Sequence, residues 1–254
     1  MNVSRAGVDL AKNVFQIHAT DAHGKVIWKR KLSRERWIEA ICTKVPDGCQ
    51  IGMEACAGAH HWARRLSEHG FEVKLIPPQF VTPYVKSNKN DANDAEAICE
   101  AMSRPNMRFV KVKTVEQQDI QAIHRVRSEL MTQRTAKMNQ IRGLVAEYGL
   151  VAPTRVYSLR KALPLWLEDA ENGLTDRFRR LLNDLWRDLR YLEERIAGLD
   201  TEIREVANAD PMAVRLQQLR GVGPLIATAL IACVGDGSQF TKGRQMAASI
   251  GLTP

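Results

Sequence analysis

Between Phe178 and Val206 the apolar residues Phe178, Leu182, Leu185, Leu189, Leu192, Ile196, Leu199, Ile203 and Val206 recur in alternating steps of four and three. Sustained over about four heptads, this spacing predicts a coiled-coil helix that needs a partner helix along its length. Ile120, Ile123, Val126, Leu130, Met138, Ile141, Val145 and Tyr148 mark an earlier long amphipathic helix. Pro153 and Pro164 fall in a looser stretch between the two. The two helices are expected to pair as an antiparallel hairpin or to meet a second subunit.

The first hundred residues follow a different period. From Val3 to Leu10 the apolar Val3, Ala6, Val8 and Leu10 line up imperfectly, with Gly7 and Asp9 pointing the other way where period two holds, which reads as a strand carrying one acid. "VFQIHAT" and "KVIWKRK" flank the turn sequence "DAHG" as a hairpin. "SRERWIEAICTKV" predicts a helix capped by Ser33, and "CQIGMEA" a strand with Glu54 near its carboxyl end. "AGAHHWARRLSEHG" is a helix closed by Gly70, and "FEVKLI" a strand stopped by Pro77 and Pro78. Strands followed by strand–helix alternation give a mixed sheet with helices packed on it, so the expected class is α/β followed by α. "RPNMRFVKVK" is a basic extended segment leading onward.

The chain has 254 residues, 44% of them hydrophobic, enough for a sizeable core. Lys and Arg number 37 against 29 acids, a net charge of +8, which favours a polyanionic partner, nucleic acid before an anionic membrane surface. No apolar run reaches membrane-spanning length, and "MNVSRAGVDL" lacks a signal-peptide pattern, so no membrane association and a cytoplasmic location are expected. Cys42, Cys49, Cys56, Cys99 and Cys233 show no zinc spacing and read as free thiols.

Asp91 and Asp94 stand three apart in "KNDANDAEAI", so on a helix their carboxylates share a side. Aspartate at a helix start accepts orphan amide bonds and complements the dipole, and that reading accounts for the pair alone. Asp9 on a first strand and Glu54 on a later one, beside the small residues "ACAGA", change the balance. Four carboxylates converging on one sheet edge would suit Mg²⁺ or Mn²⁺, and without a cation their repulsion would make the site costly to fold.

In chain order, "GVDLAK", "GMEACAG" and "KNDANDAEA" resemble the DEDD-type insertion-sequence transposases, relatives of the Piv site-specific DNA invertase that include RNA-guided bridge recombinases. The resemblance runs the whole chain. It implies a RuvC-like (RNase H-fold) domain over residues 1–113, a coiled-coil region over 114–208, and the start of a serine-containing transposase domain over 209–254. Carried over by position, Asp9 and Glu54 match the first two family acids and Asp91 and Asp94 the closing pair, as catalytic metal ligands in DNA cleavage and exchange. In the family the nucleophilic serine follows the "GLTP"-like segment. Ser238 and Ser249 precede that segment, and the sequence given ends at Pro254, so neither takes the role. The expectation is therefore a relative truncated before the catalytic serine, or a piece of a longer protein.

Arg125, Arg127, Arg134, Lys137 and Arg142 stud the first long helix, with Arg108, Lys111 and Lys113 leading into it. They fit a solvated face or a helix tracking a phosphate backbone. Gly221 and Gly223 in "LRGVGPLIATALIACVGD" fit an ordinary helix–helix turn or a helix-hairpin-helix whose amides approach a phosphate. The resemblance implies DNA and a structured guide RNA as partners, and a homo-oligomer, dimer or tetramer, through the coiled coil. His60, His61, Trp62, Trp166 and Trp186 read as packing residues. A non-catalytic nucleic-acid-binding and assembly module is the competing function. An ATPase of the sugar-kinase or actin type shares the "GVDLAK" start, but needs a second phosphate-binding lobe where this chain turns helical.

Overall fold

The computed structural model describes residues 2–86, 91–152 and 155–252, with the side chains of Asp91, Ala92 and Val156 outside that description. The chain divides into two compact units, residues 1–114 and 115–254.

The first unit is built on a five-stranded mixed sheet in the order β3-β2-β1-β4-β5. β1 (Arg5–Leu10), β2 (Val14–Thr20) and β3 (Val26–Ser33) form an antiparallel meander. The β2–β3 turn is tied by Asp21, whose side chain accepts from the His23 and Lys25 amides at 2.9 Å each. β4 (Gln50–Glu54) and β5 (Glu72–Ile76) continue the sheet parallel to β1. Helices α1 (Trp37–Lys44) and α2 (Ala59–Glu68) make the crossovers. Ser33, the predicted cap of α1, instead ends β3 opposite Val14. Strand pairing outlasts the capping signal there, and α1 starts at Trp37 with no side-chain cap.

Period two explains the two faces of the sheet. Ala6, Val8, Phe15, Ile17, Ile51 and Met53 are buried in the core on the α1–α2 side. There Phe15, Trp37 and Trp62 meet edge to face, with centroids 4.9, 5.5 and 5.0 Å apart. Trp62 is thus a packing residue, as the sequence suggests. The other face carries α4 (Asp91–Met102), reached through α3 (Pro78–Val81) and a 3₁₀ turn over Thr82–Tyr84.

Two glycines set how closely α4 lies. A Cβ on Gly7 would strike the Ala95 carbonyl and sit 2.6 Å from the Cys99 amide nitrogen. One on Gly52 would meet only side-chain tips, Met102 Sδ at 3.0 Å and Ile98 Cγ2 at 3.1 Å. The rest of the contact is buried: Ala97, Ile98, Ala101 and Met102 pack with Ile76 and Val81. Polar ties add to it. Lys86 Nζ reaches Glu96 at 3.1 Å and Glu100 at 3.2 Å, and Thr20 Oγ1 lies 3.7 Å from Cys99 Sγ.

The basic segment after α4 returns to the sheet. The Val110 amide donates to the Leu75 carbonyl at 2.8 Å. Farther on, the Lys113 amide donates to His60 Nδ1 at 3.1 Å while Arg64 Nη1 donates to the Lys113 carbonyl at 2.7 Å. Burial first, then the charges of Lys113 and Arg64, bring the His60 pKa down to about 4. A neutral ring that accepts an amide bond is a structural part.

In the second unit α5 (Val115–Ala146) and α7 (Asp176–Ala209) lie antiparallel along each other. Lys137 reaches Asp188 at 3.0 Å and Arg127 reaches Asp200 at 2.5 Å, so lower numbers on one helix meet higher numbers on the other. Of the two partners expected for these helices, the intrachain one is present. Met138, Ile141 and Val145 pack with Phe178, Leu182, Leu185 and Leu189 and with Leu159 and Leu163 of α6 (Val156–Glu168). Trp166 and Trp186 lie half-buried against this core. Pro164 stands inside α6 where a looser stretch is expected. Burial of Leu159 and Leu163 on one face offsets the hydrogen bond a proline cannot donate. Arg179 holds the connection to α7, donating to the Trp166, Leu167 and Leu174 carbonyls at 3.1, 3.0 and 3.2 Å. The side chains of Thr175 and Asp210 cap α7 and α8 (Pro211–Leu216). α9 (Pro224–Val234) and α10 (Gly243–Ser249) complete the unit.

Gly7→Ala should destabilise the first unit by about 2–3 kcal/mol, because backbone and not a side-chain tip must move, while Gly52→Ala should cost about 1 kcal/mol. Urea midpoints of the two variants check the order; equal costs would contradict it. Acid should weaken the same unit. The folded-state pKa of His60 lies below its ordinary 6.5, so the unfolded chain binds the proton first, and stability is lost as pH falls from about 6.5 towards about 4. In denaturant titrations across that window, His60→Gln should lose less stability than the parent protein.

Candidate functional site

β1 and β4 run parallel with Arg5 beside Gln50 and Val8 beside Met53. The next residue on each strand is an acid, Asp9 on β1 and Glu54 on β4. Gly7 and Gly52 both face α4, and side chains two apart on a strand share a face, so Asp9 and Glu54 face the same way beyond the glycines. Each strand thus carries glycine, apolar residue, acid: "GVD" and "GME". The glycine admits the helix and the acid lies at the strand's carboxyl end. Sequence reasoning found both acids but missed this repeat, whose signal is the identical spacing.

α4 runs antiparallel to β1. Cys99 lies by Thr20, which pairs with Arg5, whereas Ala95 lies over Gly7. One turn earlier the helix begins, level with the carboxyl end of β1. Asp94, half-buried, stands one turn before Ile98, the residue over Gly52, so it lies on the side of α4 that follows β4 towards Glu54. Asp91 is the first residue of α4, and its side chain is outside the described residues.

Three predicted acids therefore share one sheet face, two at adjacent strand ends and one in the first turn of the helix above. Among the described residues, no group of three or more His, Cys, Asp or Glu is close enough together to hold a metal ion. Cys56 reports the local field: burial first, then the charges of Glu54 and Asp9, push its thiol pKa up. As a donor set the acids offer only oxygen, which fits a hard divalent cation and not a thiolate-seeking one.

Two histidines border this edge. His60 is committed to the Lys113 amide, and His61 packs edge to face on Trp62 at 4.8 Å. Burial lowers the pKa of both. Cys42, Cys49, Cys56, Cys99 and Cys233 are all free thiols.

The basic residues of α5 are differently placed from one another. Arg127 and Lys137 make the ion pairs to α7, and Arg142 Nη2 donates to the Arg155 carbonyl at 3.3 Å. Arg134 is half-buried, whereas Arg125 is exposed. Sequence spacing could not reveal that acids 51 and 73 residues away would meet Lys137 and Arg127. Gly221 takes a φ of +87° in the turn between α8 and α9, a conformation only glycine adopts freely, while Gly223 is extended and stands at the N-cap just before α9. No helix among the described residues is long and apolar enough to cross a membrane.

Two family profiles match the chain. One, described as "Transposase" and built on DEDD transposases of the IS110 type, covers residues 6–150. The other, "Transposase IS116/IS110/IS902 family", covers residues 213–254. The chain is 48% identical over its full length to a "Probable family 20 transposase" of Pseudomonas aeruginosa, spanning 75% of that protein. It is 47% identical to the "Transposase for insertion sequence element IS1111A" of Coxiella burnetii, with 98% of this chain and 68% of that protein aligned. With the "Transposase for insertion sequence element IS1328" of Yersinia enterocolitica the identity is 40%, over 100% of this chain and 74% of the relative. By the reach of the first profile and by these identities, the chain belongs to the IS110/IS116 family of transposases.

Proposed function

We propose that this transposase acts on DNA phosphodiesters through a four-carboxylate site of Asp9, Glu54, Asp91 and Asp94 that takes Mg²⁺ or Mn²⁺. The observation that carries the reading is the twin Gly-x-acid arrangement on adjacent parallel strands whose glycines lie against α4. The sheet order, with β1 central and antiparallel to β2 but parallel to β4, supports an RNase H-like, RuvC-type fold for the first unit. Bound divalent cations would supply activation of a water and stabilisation of the leaving oxygen. The chain's own residues contribute position. Asp9 and Glu54 are held by strands, and Asp94 by a helix whose distance from the sheet is fixed by Gly7. Glu96 and Glu100 are engaged by Lys86, which keeps their charge apart from the other acids.

The net charge of +8 supports nucleic acid as the partner, and the family resemblance supports a guide RNA whose pairing chooses the DNA target. Leu181 and Tyr191, exposed on α7, support assembly into a dimer or tetramer through the long helices.

Asp9→Asn and Glu54→Gln should each reduce Mg²⁺-dependent strand processing by about 100-fold or more, the kinetic equivalent of losing several kcal/mol of charge stabilisation. Mg²⁺ should raise the melting temperature of the parent protein and not of the double variant. Processing by both variants at the parental rate would remove the catalytic reading and leave a nucleic-acid-binding and assembly module.

A further inference from the structure

A cleft of about 490 Å³ opens in the first unit beside the 3₁₀ turn that precedes α4 and the loop that follows it. Phe80 of α3 and Tyr84 of the 3₁₀ turn line it, each half-buried, so their inner edges pack on the Val81–Met102 core while the outer parts stay open. Arg104, Asn106 and Arg108 supply its polar lining and are exposed. The Arg104 guanidinium lies over the Tyr84 ring, 5.3 Å from the centroid, and is oriented from behind by Glu100 at 2.6 Å. Aromatic faces, a guanidinium already stacked on one of them, a second cation and an amide are brought together in one opening. The volume lies in the range of small-ligand sites.

We propose that this cleft binds an unpaired nucleotide of a single-stranded nucleic acid, the base stacking on the Tyr84 and Phe80 side and the phosphate meeting Arg108. The inference rests on the reading of the chain as a nucleic-acid-handling protein. It adds a contact to which neither the acids nor the α5 arginines contribute. Stacking on an aromatic face tolerates any base, because every base has a π-face, and a duplex base is not free to enter. Asn106 can donate to or accept from a base edge. The chemistry is shared by an unpaired stretch of RNA and a displaced DNA strand.

The test is binding of a labelled ten-nucleotide oligomer to the full chain, followed by fluorescence anisotropy, with parallel DNA and RNA arms and a blunt duplex as the third arm. Tyr84→Ala should weaken single-strand binding by about 10-fold, and Tyr84→Phe should leave it within about twofold. Arg108→Glu, at an exposed position where folding is not at stake, should weaken it by about 10-fold as well and lower its dependence on salt. Tighter RNA binding identifies the occupant as RNA; equal or tighter DNA binding identifies a DNA strand. Unchanged single-strand binding by folded Tyr84→Ala overturns the proposal. Equal losses on single strand and duplex also overturn it, since they would reflect charge or folding and not stacking. The Mg²⁺-induced rise in melting temperature reports the carboxylate site and oligomer anisotropy in chelator reports the cleft, so failure of the one and failure of the other are separately visible.

Discussion

The close approach of α4 to the sheet is the contact on which the first unit depends. It exists because Gly7 has no side chain: the Ala95 carbonyl and Cys99 amide occupy the space a Cβ would need. Helix and sheet ordinarily stand farther apart, separated by a layer of side chains from both. Removing that layer at Gly7 and Gly52 lets Ala97, Ile98, Ala101 and Met102 fill the remaining contact as a thin, fully buried seam. A consequence is geometric. The residues just beyond the glycines on β1 and β4 are Asp9 and Glu54, and α4, which packs on that face, carries Asp94 in its first turn. Packing and the proposed chemistry are therefore one arrangement, since a bulkier residue at Gly7 would widen the gap between the strand acids and the helix acid.

The electrostatics of that face divide into two groups. Glu96 and Glu100, farther along α4, are answered within the fold by Lys86 and Arg104, and the hydrogen bond from Lys86 holds the Glu96 carboxyl below its usual range. His18, buried beneath Glu96 at 4.0 Å, is kept below its ordinary pKa by burial in spite of that acid. Asp9 and Glu54 extend their field to a neighbouring thiol, where both charges oppose ionisation of Cys56 after burial has done so. Carboxylates brought together at strand ends would raise one another's energy unless a cation were shared, which is the physical basis of the metal site proposed above.

Much of the architecture is legible in periodicity. The alternation of "VFQIHAT" predicts β2, and the step of two in β1 already sets Gly7 and Asp9 apart from the buried Ala6 and Val8. The four–three spacing predicts α7, although it left open whether α5 or a second subunit would cover it. The local signals that misled are those a distant contact can override. Ser33 looks like a helix cap, but its strand neighbour Val14 claims it. Pro164 looks like a break, but the buried Leu159 and Leu163 keep α6 intact around it. For the candidate site, the acids were visible as residue types in family order, whereas the glycines' part was not, because it requires knowing that a helix much later in the chain lies on top of them.

α4 also joins two kinds of surface. Twelve residues at about 1.5 Å each make a rod of about 18 Å, with aspartates in its first turn and, past its last, a loop carrying Arg104 and Arg108. Its amino end favours acids by the helix dipole even before any metal is considered, and its carboxyl end favours the cations found there. A polyanion approaching this face would be repelled at one end and attracted at the other. On the proposed reading, that gradient would orient a strand with its backbone at the arginines and let it reach the acids where a divalent cation neutralises them. The charge pattern of this one helix would, on that reading, couple the binding of nucleic acid to the presence of metal without requiring any movement of the fold.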